Sequence, residues 1–401
     1  MSETVGDKLY TGIKPLYNIS KLFGLAPFSI NSKKIVTKFI DYFIFGFWLI
    51  FNISGFYIYL PDAIYVLIFV SFDKIVILWI FQCILMFSKG ILFLILNITS
   101  RRKVLPKMLM TLFNLDLELF YNSTFRTKQL VKKQIKLSIL LCLIFLSMAT
   151  VSYVTTFYPI DITKFSKVQV FYLFINRLNS SIIILQFISF VTILKERCKH
   201  VNQVLFLELI TKDRCNSVSS SLLWYKCKIE DINNCLINRS CSNVQHFREI
   251  YIKMWDIFNS IKCYYQIHIV LEVLTDFGDC VLVAYYAMSV LERTEEYEKL
   301  VLHSAACIVI YYPVMFLFCF FWMAKLCSDI EEQVKLSVII VQKFMLVSNI
   351  EHSTLTELER FSFQLNNIKM EFNICGIFTM NLRFLSSFLG VALTYLVILH
   401  Q

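Results

Sequence analysis

The stretch YYQIHIVLEVLTDFGDCVLVAYYAM (Tyr264–Met288) decides how the whole chain is read. It is long enough for an α-helix to cross the hydrocarbon core of a bilayer, which takes ~20 residues, yet it holds three carboxylates. Glu272, Asp276 and Asp279 stand at i, i+4 and i+7, so a helix gathers them on one face. Uncompensated charges at that depth cost several kcal/mol each, so this face must turn toward other helices or water. The segment therefore predicts one member of a membrane-helix bundle.

Composition agrees. Apolar residues make up 57% of the 401 and charged residues only 17%, which excludes a soluble globular fold. A β-barrel is excluded because its strands alternate apolar and polar residues over ~10 positions. The chain is read as an all-α integral membrane protein with seven transmembrane helices. The spans are Phe39–Tyr59, Ile75–Ile98, Ser138–Tyr158, Lys167–Leu194, Tyr264–Met288, Val301–Lys325 and Met380–Gln401. Ala63–Val70 is also apolar, so the start of the second span is the least defined boundary. The basic segment before the first span, with Lys8, Lys14, Lys21, Lys33, Lys34 and Lys38, is too long for a cleavable signal, so the first span is expected to act as a signal anchor.

Charge orients the spans. Net charge is +10, but Lys and Arg cluster between apolar runs, as the positive-inside rule requires, rather than forming a nucleic-acid surface. The connection after the second span carries Arg101, Arg102, Lys103, Lys107, Arg126, Lys128, Lys132, Lys133 and Lys136. Lys195–Cys263 carries eleven Lys or Arg, whereas the segment after the fifth span, LERTEEYEK, is acidic. The N-terminus and both basic connections are therefore expected in the cytoplasm and the C-terminus outside, the inverse of a G-protein-coupled receptor. The last span also has no proline, and so no NPxxY-type ending. Cys198, Cys215, Cys227, Cys235 and Cys241 all fall in the cytoplasmic connection and are expected as thiols. The glycosylation triplets at Asn18, Asn97, Asn122 and Asn238 fall on the same side, and those at Asn52 and Asn179 fall in spans.

This gives a cytoplasmic segment 1–38, spans one to four over 39–194, a cytoplasmic extension 195–263 and spans five and six over 264–325. A cytoplasmic anchor helix over 326–379 precedes the last span, 380–401. Ser328–Cys375 is nearly free of Gly and Pro and mixes charged with apolar residues at helical spacing, so it is expected to pack with 195–262 as a helical bundle.

No catalytic or metal-binding pattern occurs: the six histidines are scattered, and HExxH, CxxC and GxxxxGKS are absent. No cofactor and no enzyme activity is expected. The charges within the spans carry more information. At ~1.5 Å per residue, Asp279 lies ~16 Å and Arg177 ~15 Å below the outer surface, and Lys89 lies ~21 Å down, level with Asp276. They either form internal ion pairs that fix helix packing or contact a ligand or ion path. Polar and aromatic residues gather in the outer halves of the middle spans: Trp79, Gln82, Tyr153, Thr156, Tyr172, Asn176, Tyr285, Tyr286, His303, Tyr311 and Tyr312. An apolar cavity with a few hydrogen-bonding groups suits a small molecule, although interfacial aromatics give the same pattern.

Three stretches carry a resemblance. PLYNISKLFGLAPF (Pro15–Phe28) resembles the segment preceding the first span of insect gustatory receptors. CGIFTMNLRFL (Cys375–Leu385) resembles their entry into the last helix, and TYLVILHQ (Thr394–Gln401) is similar to their C-terminal signature, Thr-Tyr, five mostly apolar residues, then Gln-Phe. His400 stands at a normally apolar place, and the Phe after Gln401 is missing. The resemblance implies a ligand-gated cation channel, homotetrameric or heterotetrameric, whose last helices line a central pore. It implies a cytoplasmic bundle joining the subunits and a ligand pocket in each outer half, to which the polar residues above, with Arg177 and Asp279, would belong. Gln401 would form a neutral polar ring at the outer mouth, with Ile398 and Thr394 continuing that face inward. Sugar-sensing members often carry an acid after Thr-Tyr, where Leu396 stands here, so a bitter or plant-derived tastant is expected. An odorant-receptor subunit of a heteromeric channel and a G-protein-coupled receptor are the competing readings.

Overall fold

The computed structural model describes residues 14, 16–26, 29–31, 34–36, 39–69, 74–99, 103–120, 167–214, 244–291, 296–346 and 352–400. Helix α1 (Phe39–Phe69) runs past the expected end at Tyr59 and absorbs most of the apolar stretch after it, with Pro61 inside. A membrane helix tolerates this proline because neighbouring groups re-satisfy the carbonyl it leaves without a donor. One stripe of α1 is uncovered, with Phe39, Phe43, Phe47, Ile50, Ile53 and Tyr57 exposed, while Asp41, Phe45, Asn52 and Tyr59 are buried. The three- and four-residue spacing of the exposed set is that of a single helix face against lipid.

Helix α2 (Lys74–Ile98) lies against α1 and is followed by α3 (Val104–Phe120). The sequence expectation treated α3 only as part of a basic connection. Leu105, Met108, Leu109, Leu112 and Leu115 are buried along it, which is the amphipathic period of a helix lying on a bundle rather than crossing the bilayer. Buried Asp116 locks it to the bundle, accepting from Arg197 Nε at 2.9 Å and Nη2 at 2.7 Å. This two-pronged geometry is the strong form of a charge-assisted hydrogen bond.

Three long helices form the frame: α4 (Lys167–Arg214), α5 (Val244–Leu291) and α6 (Glu296–Met345). With 48, 48 and 50 residues each is over ~70 Å long, more than twice the ~30 Å hydrocarbon core. Positions 194/195, 263/264 and 325/326 lie inside continuous helix. Three helices among the described residues contain stretches long and apolar enough to cross a membrane: Phe39–Pro61, Ile80–Ile98 and Ile175–Leu207.

Beyond the spans, the C-terminal half of α4, the N-terminal half of α5, the C-terminal half of α6 and helix α7 (His352–Asn367) share one apolar core. Val201, Tyr251, Met254, Phe258, Ile330, Val341, Phe344, Leu358 and Phe361 are fully enclosed there. Burying side chains of this size contributes about 1.5–3 kcal/mol each. A polar knot crosses the core: Tyr251 OH lies 2.9 Å from Ser337 Oγ, Ser337 donates to Asn202 Oδ1 at 2.5 Å, and Asn202 Nδ2 donates to Gln333 O at 2.8 Å. Burial pushes the Tyr251 phenol up from its ordinary range. Burial also raises the Cys327 thiol, helped by Glu331 and Asp329, so neither group ionises at neutral pH.

Two small β-hairpins interrupt the helical plan. Strands β1 (Ser29–Asn31) and β2 (Lys34–Val36) pair antiparallel, as do β3 (Asn373–Ile374) and β4 (Phe378–Thr379). Neither was expected from the sequence. Cys375 and Gly376 have φ of 51° and 73° and Ile377 N donates to Ile374 O at 2.9 Å, the left-handed pair of a type I′ turn. Met380 N donates to Phe372 O at 2.9 Å to close the hairpin, and Asn381 Oδ1 caps the next helix by accepting from Phe384 N at 3.0 Å. That helix, α8 (Leu382–His400), packs on α5 and α6 through Phe384, Phe388 and Tyr395. Its other faces, with Leu389, Leu393, Val397 and Ile398, are exposed.

The segment before α1 is docked. Residues 16–22 are helical, and Gly24, with φ of 71°, ends them. Leu25 N donates to Ser20 O at 2.9 Å and Gly24 N to Lys21 O at 3.0 Å, the paired bonds of a Schellman cap. Lys21 reaches Asp41 at 2.8 Å, and Trp48 Nε1 donates to Leu22 O at 2.7 Å. Tyr264 OH on α5 donates to Asn97 Oδ1 at 2.9 Å and lies 3.4 Å from Leu25 O.

Candidate ligand and ion-pair site

The acidic face of α5 meets α2 and α4 inside the bundle. Glu272, Asp276 and Asp279 are all buried. Arg177 Nη2 of α4 donates to Asp279 Oδ1 at 3.2 Å, as helix-rise depths suggested. Lys89 of α2 corrects its expected level: Nζ donates to Glu272 Oε2 at 3.0 Å and to Thr275 Oγ1 at 3.0 Å. Its partner is one turn from Asp276. A lysine stem spans more than a helical turn, so backbone depth does not fix where its ammonium lands.

Glycines allow the close approach. Gln82 Nε2 of α2 donates to Thr275 O of α5. Gln82 Oε1 occupies the place a Cβ at Gly278 would need, 2.3 Å from it. At Gly90 the same point lies 2.2 Å from Asn176 Oδ1 and 2.7 Å from Asn52 Oδ1, so amides from α4 and α1 meet on bare α2 backbone. At Gly55 it lies 2.4 Å from Cδ1 of the Tyr172 ring. Tyr172 OH lies 3.0 Å from Ser54 Oγ, and its ring lies 4.3 Å from that of Phe51. Buried polar atoms remain unsatisfied: Asn52 Oδ1, both amide atoms of Asn176, Asn179 Oδ1 and Ser180 Oγ have no hydrogen-bond partner among the described residues. Such groups in a native interior are met by water or a ligand.

The expected ligand residues therefore divide. Gln82, Tyr172, Asn176, Arg177 and Asp279 converge where α1, α2, α4 and α5 meet. Trp79 lies on α2, Tyr285 and Tyr286 on α5, and His303, Tyr311 and Tyr312 on α6, with their side chains outside the described set. Tyr153, Thr156 and Gln401 lie outside the described residues, as does the span expected at Ser138–Tyr158. Of the residues expected at a pore, Thr394 and Ile398 are exposed on α8. Cys198 is buried and, like the other described cysteines, a free thiol; Cys215, Cys227, Cys235 and Cys241 lie outside the described residues.

Asn52, Gly55, Gly90, Thr275 and Gly278 complete the site without having been singled out for it. A polar residue or glycine in an apolar span is the available signal, since each marks a close helix contact in lipid.

None of the curated proteins matches this chain in sequence. Among solved structures it is similar to the insect olfactory receptor OR5 from Machilis hrabei, with a TM-score of 0.64 at 14% identity, covering 98% of each chain. It is similar also to the same receptor in complex with eugenol, with a TM-score of 0.58 at 14% identity, covering 98% of this chain and 99% of that one. At this identity the likeness concerns the fold. The family pattern described as 7tm Chemosensory receptor matches residues 13–401. The chain thus belongs to the 7tm chemosensory receptor family and is a multi-pass receptor of the plasma membrane, not an enzyme.

Proposed function

We propose that this receptor is a gustatory one, a ligand-gated non-selective cation channel opened by a small bitter or plant-derived tastant. The observation carrying the channel reading is α8, an apolar helix held on one side by α5 and α6 and bare on its other faces, with Thr394 and Ile398 exposed. A tetramer places those faces against further copies and around a water-filled axis, where Gln401, Ile398 and Thr394 line the permeation path. The loop charges support an N-terminus in the cytoplasm and a C-terminus outside, which puts the long helical extensions and α7 inside the cell.

The ligand reading rests on the α1, α2, α4 and α5 junction. Aromatic Phe51 and Tyr172 adjoin unsatisfied amides there, the mixture that holds a mostly apolar molecule by one or two polar groups. The likeness to a receptor solved with eugenol supports a small organic ligand over an ion or a peptide. The test is whole-cell recording from cells expressing the chain alone, with surface expression verified, across bitter plant compounds, sugars and volatile odorants. Current evoked by bitter compounds alone is expected. Selective activation by sugars overturns the tastant class, and current that requires a second receptor subunit favours the odorant-type reading.

A further inference from the structure

Among the described residues the buried charges on the α5 face and their partners do not balance. The α5 face carries three carboxylates, each at least nine-tenths buried: Glu272, Asp276 and Asp279. The cations that meet them number two among the described residues. Lys89 Nζ is committed to Glu272 Oε2 and Thr275 Oγ1, each at 3.0 Å. Arg177 Nη2 is committed to Asp279 at 3.2 Å. Asp276 occupies the turn between these pairs, 5% exposed, and its Oδ2 has no hydrogen-bond partner among the described residues. Glu272 Oε1, one turn earlier on the same face, is likewise unpartnered.

The groups that act on Asp276 among the described residues come from four helices. They are Glu272, Asp279 and Cys280 on α5, Lys89 on α2, Arg177 on α4 and Cys319 on α6. Two of these are cations already paired, and two are further carboxylates. A buried carboxylate without a counter-ion is neutralised rather than tolerated, and carboxylates sharing one site take up a proton between them. Among the described residues no group of His, Cys, Asp and Glu is arranged to hold a metal ion.

We propose that the acidic face of α5 is a proton-binding site, with one proton held on Asp276 and Glu272 Oε1 available as its acceptor. The step is a plain protonation: a hydronium from bulk water delivers a proton to Asp276 Oδ2, water is released, and the charge of the five-residue cluster goes from −1 to zero. The receptor then carries a neutral acid at mid-bundle, between the two ion pairs that tie α2 and α4 to α5.

The test is infrared absorption of the full-length receptor in lipid nanodiscs at neutral pH, in H2O and D2O, with the buffer cation either sodium or potassium. The expected spectrum has a protonated-carboxyl C=O band that shifts in D2O, is indifferent to the cation and is lost in Asp276→Asn. Asp276→Glu keeps a protonated carboxyl at a displaced frequency, which separates loss of the site from loss of the fold. Arg177→Gln leaves a second carboxylate uncompensated and should about double the band. Absence of the band at neutral pH, or its persistence unchanged in Asp276→Asn, overturns the proposal. A band that appears only when sodium is removed also overturns it, by assigning the site to a metal cation.

Discussion

Arg177 on α4 and Asp279 on α5, 102 positions apart in the chain, meet at 3.2 Å inside the bundle. The pair ties two of the three long helices beside the unsatisfied amides of the candidate ligand site. Removing one partner leaves the other uncompensated, a loss of roughly 3–5 kcal/mol for a fully buried pair. Arg177 keeps 27% of its side chain exposed, so solvent screening places the loss below that range. Arg177→Ala should lower surface expression and thermal stability, and adding Asp279→Ala should recover part of the loss. A double variant no better than either single one, by melting temperature in detergent, contradicts the pairing.

Gly55 and Gly278 predict graded packing effects. A Cβ at Gly55 falls 2.4 Å from Tyr172 Cδ1 and 2.9 Å from Phe87 Cε1, both ring atoms with no slack. Gly55→Ala should cost about 1–3 kcal/mol, as overpacking does. A Cβ at Gly278 meets only the end of Gln82, which can swing away but gives up its bond to Thr275 O. Gly278→Ala should be milder, and Gln82→Ala combined with it should restore stability. The order of melting temperatures checks both; a Gly278 variant worse than the Gly55 one contradicts the contacts.

Glu331 gives a pH dependence outside the spans. Burial first, then Glu371, raises its carboxyl above the ordinary value of 4.5, against an opposing effect of Lys335. A raised folded value means the native state holds the proton longer than the unfolded chain, so stability falls as pH rises from about 4.5 through the folded value. Glu331→Gln should therefore raise the melting temperature at neutral pH and change nothing near pH 4. Equal shifts at both pH values would contradict the assignment.

How far the sequence reaches differs by element. The Arg177–Asp279 level was legible because both depths count from the same side of the bundle, and rise per residue is constant. Lys89 was displaced by a turn because its flexible stem, not its backbone, sets the charge. Helix α3 was hidden among the Lys and Arg of its connection, although Leu105, Met108, Leu112 and Leu115 carry a helical period. The Cys375–Gly376 turn was hidden too, since a two-residue strand has no periodicity to detect. The Gly90 junction depends on three helices meeting, which no local window contains.

Orientation is checked by labelling. Basic connections on one side and the acidic LERTEEYEK on the other predict that an epitope after Gln401 labels on intact cells. An N-terminal epitope should label only after permeabilisation. The reverse pattern would revive the G-protein-coupled reading.

The channel claim is tested most directly at the end of α8, by reversal potential and baseline current at matched surface expression. Gln401→Glu should shift selectivity further toward cations by placing carboxylates at the outer mouth, and Gln401→Lys should reduce current. Ile398→Ala should remove an apolar barrier one turn inward, letting the path wet and leak without ligand. If both Gln401 variants keep the parent's reversal potential and conductance and Ile398→Ala stays silent without ligand, α8 does not line the pore.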